Sequence, residues 1–177
     1  MSGLNIDEFN YARRTLRHIQ KVQELALVVA RSTLIDCPGT AKRLVHNATA
    51  HDQPKFSPEE WGLTQRYWTE LDEEGRKNPE EMERYAPAWA HHKANTYHHQ
   101  ECWDTDEVVR PEHVFEMVCD WAAMSMELNA GDERIWSKEL EAWAITMITQ
   151  SYLEYYKDTV MMAVNVIQDY WAHKVTA

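Results

Sequence analysis

Histidine and carboxylate side chains gather at a few places in this chain: His18, the adjacent pair His51-Asp52, the pairs His91-His92 and His98-His99, and Asp120. Imidazole nitrogen and carboxylate oxygen together suit Zn, Fe, Mn or Ni. An adjacent His and Asp at a helix end can both reach one cation, or the Asp can bridge two. Asp120 lies between Cys119 and Trp121 in an otherwise apolar stretch, where a charge is costly unless paired or bound to a metal. Lys55 and Lys93 closely follow the two histidine elements. Two cations beside a metal suit a phosphate, through charge-assisted hydrogen bonds.

Each residue also has a plainer reading. His18 stands between Arg17 and Lys21 and reads equally as a half-exposed helix histidine. His51-Asp52 reads as a helix end followed by a turn. At least one of His91, His92, His98 and His99 reads as a surface residue or as one that orients a ligand by hydrogen bonding. His46 is a spare candidate on the same helix as His51, whereas His113 and His173 read as structural or solvent-exposed. The run Glu70, Asp72, Glu73, Glu74, Glu80, Glu81, Glu83 reads as a solvated face.

The elements that must position these groups are helices. Apolar residues at Leu16, Ile19, Val22, Leu25, Ala26 and Val29 recur at helical steps and predict a first helix over 4–31. Asp36-Cys37-Pro38-Gly39-Thr40 breaks it, and a second helix is expected from Ala41 to Asp52. Pro54 ends that helix. Ser57-Pro58-Glu59-Glu60 reads as a capping box opening a third helix, through Trp61, Tyr67, Trp68 and Leu71 to Glu74. Gly75 to Pro79 reads as a turn, Glu80 to Asn95 as a helix strained by Pro87, and His98 to Asp106 as irregular. A fifth helix runs from Pro111 to Leu128, and Ala130-Gly131-Asp132 ends it. The rest, to Lys174, is helix-compatible with a split near Thr149 to Tyr152. The expected fold is an all-α, single-domain helical bundle over 1–177, converging the ligands on one pocket.

The order of these residues resembles the HD-domain superfamily of metal-dependent phosphohydrolases, over roughly residues 10 to 125. His51-Asp52-Gln53-Pro54-Lys55-Phe56-Ser57 looks like the HD-x-x-K-F-S element of a small phage and bacterial group within it. That group's H-H-x-x-N-x-x-H-H element is matched by His91 to His99, its following aromatic by Trp103, and its C-D-W element by Cys119-Asp120-Trp121. The resemblance implies a metal held by His18, His51, Asp52 and Asp120. Histidines in the interval, His92 with His98 or His99, would serve a second ion. Lys55 matches a position that contacts a substrate anion in some relatives. One departure matters: many hydrolases of the superfamily carry an acidic, water-activating residue soon after the motif, and here Lys55 stands in that region.

The bulk numbers bound the function. The 177 residues, 44% of them hydrophobic with 5 Gly and 6 Pro, suffice for a sizeable core and favour long helices. Eight Trp and eight Met read as large core side chains. A net charge of −11 disfavours gripping a nucleic-acid polymer, whose phosphates attract Lys and Arg. It leaves room for a small phosphorylated substrate held by a metal. Cys37, Cys102 and Cys119 form neither a disulfide framework nor a C-x-x-C zinc pattern. The absence of a signal pattern or long apolar run predicts a cytoplasmic protein with no membrane partner. A homo-oligomer remains open. The leading expectation is a phosphohydrolase using one or two divalent ions (Mn, Fe, Co, Zn, Ni or Mg), with Lys55 and Lys93 stabilising the phosphate and Trp61 or Trp103 available to stack on a base. The alternatives are a di-iron oxygenase of the same superfamily and a non-catalytic metal-binding or interaction protein.

Overall fold

The first amphipathic stretch folds as one long helix, α1 (Ile6–Arg31), with Ile19, Val22, Leu25, Ala26 and Val29 buried along one face. The computed structural model describes residues 6–33, 35–103, 108–129, 133–150 and 152–176. After α1 come α2 (Pro38–Ala50), α3 (Trp61–Thr69), α4 (Glu73–Arg76), α5 (Pro79–Asn95), α6 (Pro111–Leu128), α7 (Glu133–Gln150) and α8 (Lys157–Thr176). Short 3₁₀ turns lie at Gln53–Phe56, Gln100–Cys102 and Tyr152–Tyr156. The fold is all-α, with no strand among the described residues. None of the described helices is long and apolar enough to cross a membrane.

Several boundaries differ from those expected. The second helix begins earlier, because Pro38 lacks an N–H and fits the first helical turn, while the Cys37 carbonyl accepts from Thr40 and Ala41 N–H. It stops at Ala50, so His51 and Asp52 stand just beyond it, and Asp52 takes the left-handed conformation (φ 57°) that turns the chain aside.

The capping box at Ser57 does not form. The helix starts at Trp61, after a turn in which the Ser57 carbonyl accepts from Glu60 and Trp61 N–H. The Glu60 carboxylate, needed to close the box, is instead engaged with two histidines. The expected run to Glu74 breaks after Thr69. α4 spans the end of the expected third helix and the first two residues of the expected turn (Gly75 to Pro79); it is capped by Asp72, whose carboxylate accepts from Gly75 N–H at 2.7 Å. Asn78 caps α5 in the same way, and that helix runs through Pro87 to Asn95. α6 has the expected bounds. The break at 130–132, the start of α1 before Ile6, Ser151 within the expected split, and 104–106 of the irregular stretch lie outside the described residues.

The described residues group into two compact units. The first takes the chain up to Arg17 and His51–Cys102; the second takes His18–Ala50 and Trp103 onward. The hydrophobic core belongs to the second. Val22, Leu25 and Val29 of α1, Leu44 and Ala48 of α2, Val114, Val118 and Ala122 of α6, Leu140 and Ala144 of α7, and Val160, Val164 and Ile167 of α8 interdigitate there. Each large aliphatic side chain so buried contributes about 1.5–3 kcal/mol. Arg43 of α2 forms a paired hydrogen bond with buried Glu112 of α6, and Asn47 meets His113 at 3.4 Å.

The expectation that Trp and Met fill the core is corrected. Among the described residues Trp136 and Met117 are the buried ones, whereas Trp103, Trp121 and Trp171 are half-buried at its margin. Aliphatic and alanine side chains pack the helix interfaces closely. The indoles, too large to be enclosed, cover the rim.

Candidate metal centre

The first unit has a different interior. Of its buried side chains only Tyr11 and Ala88 are counted with the hydrophobic residues; the rest include His51, Asp52, Glu60, Thr64, Gln65, His92, Thr96 and His98. Ionisable groups are rarely buried so densely unless they are paired with one another or hold an ion.

Asp52, 1% exposed, is the hub. Its left-handed backbone points the chain toward the 3₁₀ turn Gln53–Phe56, which returns Lys55 to donate a 2.5 Å hydrogen bond to Oδ2. Oδ1 lies 3.2 Å from His92 Nε2 and 4.0 Å from His98 Nε2. His51 Nε2 is 3.8 Å from Oδ2, and its ring sits against that of His98 with centroids 4.2 Å apart.

α5 delivers the next group. Trp89, one turn before His92, stacks on it (5.8 Å, 17°) and meets His99 edge-on at 4.8 Å. Thr96 ends α5 in an extended conformation, its hydroxyl donating to the His92 carbonyl at 2.8 Å. The chain then doubles back, held by Cys102 Sγ on the Lys93 carbonyl at 3.0 Å. The return brings His98 and His99 against His92, with His92–His99 centroids 5.0 Å apart.

His92, His98 and His99 each offer a ligand atom, and these atoms all lie within 4.8 Å of one another. Three donors bound to one cation at about 2.0–2.2 Å sit ~3.3–3.8 Å from one another. A closing of at most about 1–1.5 Å brings the three rings to that spacing, and the donor set fits a divalent transition metal.

Behind this trio lies Glu60, 1% exposed at the start of α3. Its Oε1 is 2.7 Å from His91 Nδ1 and its Oε2 is 2.9 Å from His92 Nδ1. Burial disfavours a charge on His92, but the carboxylates of Asp52 and Glu60 on its two nitrogens outweigh that and raise its pKa above the ordinary histidine value. Burial also pushes the nearby Tyr11 phenol up to about 12, against the pull of Lys55.

In the second unit, His18 of α1 and Asp120 of α6 meet at 2.9 Å (Nε2 to Oδ1), with Glu127 at 3.9 Å from the other ring nitrogen. Glu116 is buried on α6 beside Cys119, whose thiol pKa is raised strongly by burial and further by Glu116 and Asp120.

The residues expected at the site belong to both units. His51, Asp52, Lys55, His92 and His98 converge in the first unit, and His99 joins them. His18 and Asp120 pair with each other in the second. The Lys93 ammonium lies 5.5 Å from the Trp89 ring centre. His46 is exposed. Trp61 packs on Tyr11 and Phe56, and Trp103 on Tyr156. Sequence reading missed Glu60 as a histidine partner and Glu116 as a buried carboxylate. The signal available for Glu60 was the polar row Glu60, Thr64, Gln65, buried on one side of α3 where an amphipathic reading expects apolar residues.

No curated protein and no solved structure matches the chain. The match lies with a family model that spans residues 7–169, nearly the whole of this histidine-bearing helical chain, so the protein belongs to the family of unknown function DUF5662.

Proposed function

We propose that this protein is a metal-dependent phosphohydrolase of the HD-domain type, acting on a nucleotide or another small phosphoester. The observation that carries the reading is the cluster of ligand atoms of buried His92 and His98 and partly buried His99, within 4.8 Å of one another, beside the Asp52 carboxylate and His51. His51, Asp52, His92, His98 and His99 would hold one or two divalent ions. The resemblance adds His18 and Asp120 to the ligands. A divalent cation supplies Lewis acidity, which lowers the pKa of water to near neutrality and polarises a phosphoryl oxygen.

The chain's own residues do the rest. Lys55, hydrogen-bonded to Asp52 and still partly exposed, carries the positive charge that balances phosphate oxygens as the leaving group departs. Trp89 shields one face of His92 from water. Lys93, seated over Trp89, contributes charge at longer range.

The test is hydrolysis of a panel of nucleotides and phosphomonoesters by protein reconstituted with Mn, Co, Mg or Fe and assayed for metal content. Turnover lost in Asp52→Asn and His92→Ala supports the reading. Stoichiometric metal without turnover on any substrate overturns it.

One observation favours a second reading. Lys55 stands on Asp52 where a water-activating acid is common, and the histidines exceed what one ion needs. Oxygen chemistry at a di-iron centre would suit that arrangement. Anaerobic purification followed by iron analysis decides, and protein without iron under those conditions ends the idea. Metal with neither activity would leave a non-catalytic metal-binding or interaction protein.

A further inference from the structure

Glu60 lies outside every ligand set the sequence suggests, yet its environment is the most constrained in the first unit. It is 1% exposed. It makes two hydrogen bonds of ordinary length, one through each oxygen, to the adjacent residues His91 and His92. Both use Nδ1, so both rings donate an N–H toward the same carboxylate. Of the two carboxylates on the His92 ring, Glu60 lies nearer Nδ1 (2.9 Å) than Asp52 lies to Nε2 (3.2 Å), which favours the tautomer with the proton on Nδ1 and the lone pair on Nε2, facing Asp52. A metal ligand whose second nitrogen donates to a carboxylate is held in orientation and made more basic. The trio would otherwise depend on a ring free to flip.

The fold spends a local opportunity on this arrangement. Glu60 sits three residues after Ser57, where its side chain could close a capping box, and the helix begins at Trp61 instead. The neighbouring acid Glu59, by contrast, is exposed. The His91 side chain is about one-third exposed, which leaves it at the rim while His92 faces inward.

We propose that Glu60 is the positioning residue of the metal centre, accepting hydrogen bonds from Nδ1–H of His91 and of His92 and thereby presenting His92 Nε2 as a ligand. The ligand role rests on the metal reading above; the tautomer does not, so the two can fail separately.

The experiment uses the full chain with ¹⁵N-labelled histidine, stripped of metal, above the pH at which imidazoles protonate. Long-range ¹H–¹⁵N correlation reads the tautomer, and competition against a chromophoric chelator reads the affinity for Zn and Mn. Wild-type protein should show His92 as a single Nδ1–H tautomer. Glu60→Gln should show a mixture, with metal affinity lower by about 10–100-fold at unchanged far-ultraviolet circular dichroism. His91→Ala, which leaves the Glu60–His92 bond in place, should bind metal almost as wild type does. Should Glu60→Gln fail to fold, Glu60→Asp, which keeps the charge but withdraws it by one methylene, takes its place and should weaken binding less.

A wild-type His92 carrying its proton on Nε2, or averaging between tautomers, overturns the proposal. So does a folded Glu60→Gln that binds both metals as tightly as wild type. If wild-type protein takes up no metal while the tautomer is fixed and lost in Glu60→Gln, the orienting role stands and the metal reading falls.

Discussion

Asp52 combines three demands in one residue. It is buried, it shares its carboxylate among Lys55, His92 and His98, and it is the described non-glycine residue with positive φ. Such a backbone costs about 1–3 kcal/mol for most side chains, but Asp and Asn enter it readily. Asp52→Asn should therefore preserve the turn after α2 while removing the charge that Lys55 and the histidines face. The expected result is a circular dichroism spectrum like wild type, with metal content in elemental analysis lowered at least about tenfold. Retention of full metal content would remove Asp52 from the ligand set.

The residue-level reading singled out Asp52, His51, His92 and His98, which the fold brings close together, because their types are rare in apolar surroundings and their order is distinctive. It missed Glu60 because an acid three residues after Ser-Pro matches a helix cap so well locally. Only the return of α5 toward α3 supplies the competing partners, and no spacing in the sequence encodes that.

At the scale of elements, α2, which leads in sequence to His51 and Asp52, has few anchors. Its buried residues are Thr40, Leu44 and Ala48, of which Leu44 alone is large. Leu44→Ala should cost about 2–5 kcal/mol in urea unfolding, the usual range for opening a cavity at a fully buried leucine. A loss under about 1 kcal/mol would mean that the core closes over the gap.

The second anchor is Arg43 on Glu112. Burial raises the Glu112 pKa, but the hydrogen bond and charge of Arg43 outweigh that and hold it below the usual carboxylate value. A carboxylate depressed in the folded state adds stability above its unfolded pKa. That stability is lost as pH falls through the lower, folded value. The unfolding midpoint of wild type should thus fall more steeply on acidification than that of Glu112→Gln, and parallel curves would exclude the contribution.

Helix identity was legible from periodicity nearly everywhere, and α6 to the residue, because Pro111 marks its start. Boundaries moved where a side chain serves a distant partner, as at Glu60, where Pro38 could be taken into the helix, and where the local Asp72 cap opens α4.

At the scale of the molecule, the two units rest on different physics. The second carries the aliphatic core and should fold on hydrophobic burial alone. The first encloses carboxylates and imidazoles, with Tyr11 and Ala88 as its buried hydrophobic residues. An interior of that kind gains little from the hydrophobic effect, and its carboxylates belong to a chain whose net charge is −11. A bound divalent cation would neutralise part of that charge, so metal binding and folding of this unit should be coupled. At a free-metal concentration one hundred times the Kd, the stabilisation is about 2.7 kcal/mol.

Amide hydrogen exchange followed by mass spectrometry locates the effect. In chelator, peptides from 51–102 should exchange well ahead of those carrying Leu140, Val164 and Ile167, which lie in the aliphatic core. Adding Zn or Mn should slow the first group and leave the second nearly unchanged, and Asp52→Asn should abolish the difference. Equal protection of both groups in chelator would show that the histidine cluster is self-sufficient, stabilised by its own ion pairs. Protection that spreads evenly over the chain on adding metal would show that the cation acts on global stability rather than on the polar unit.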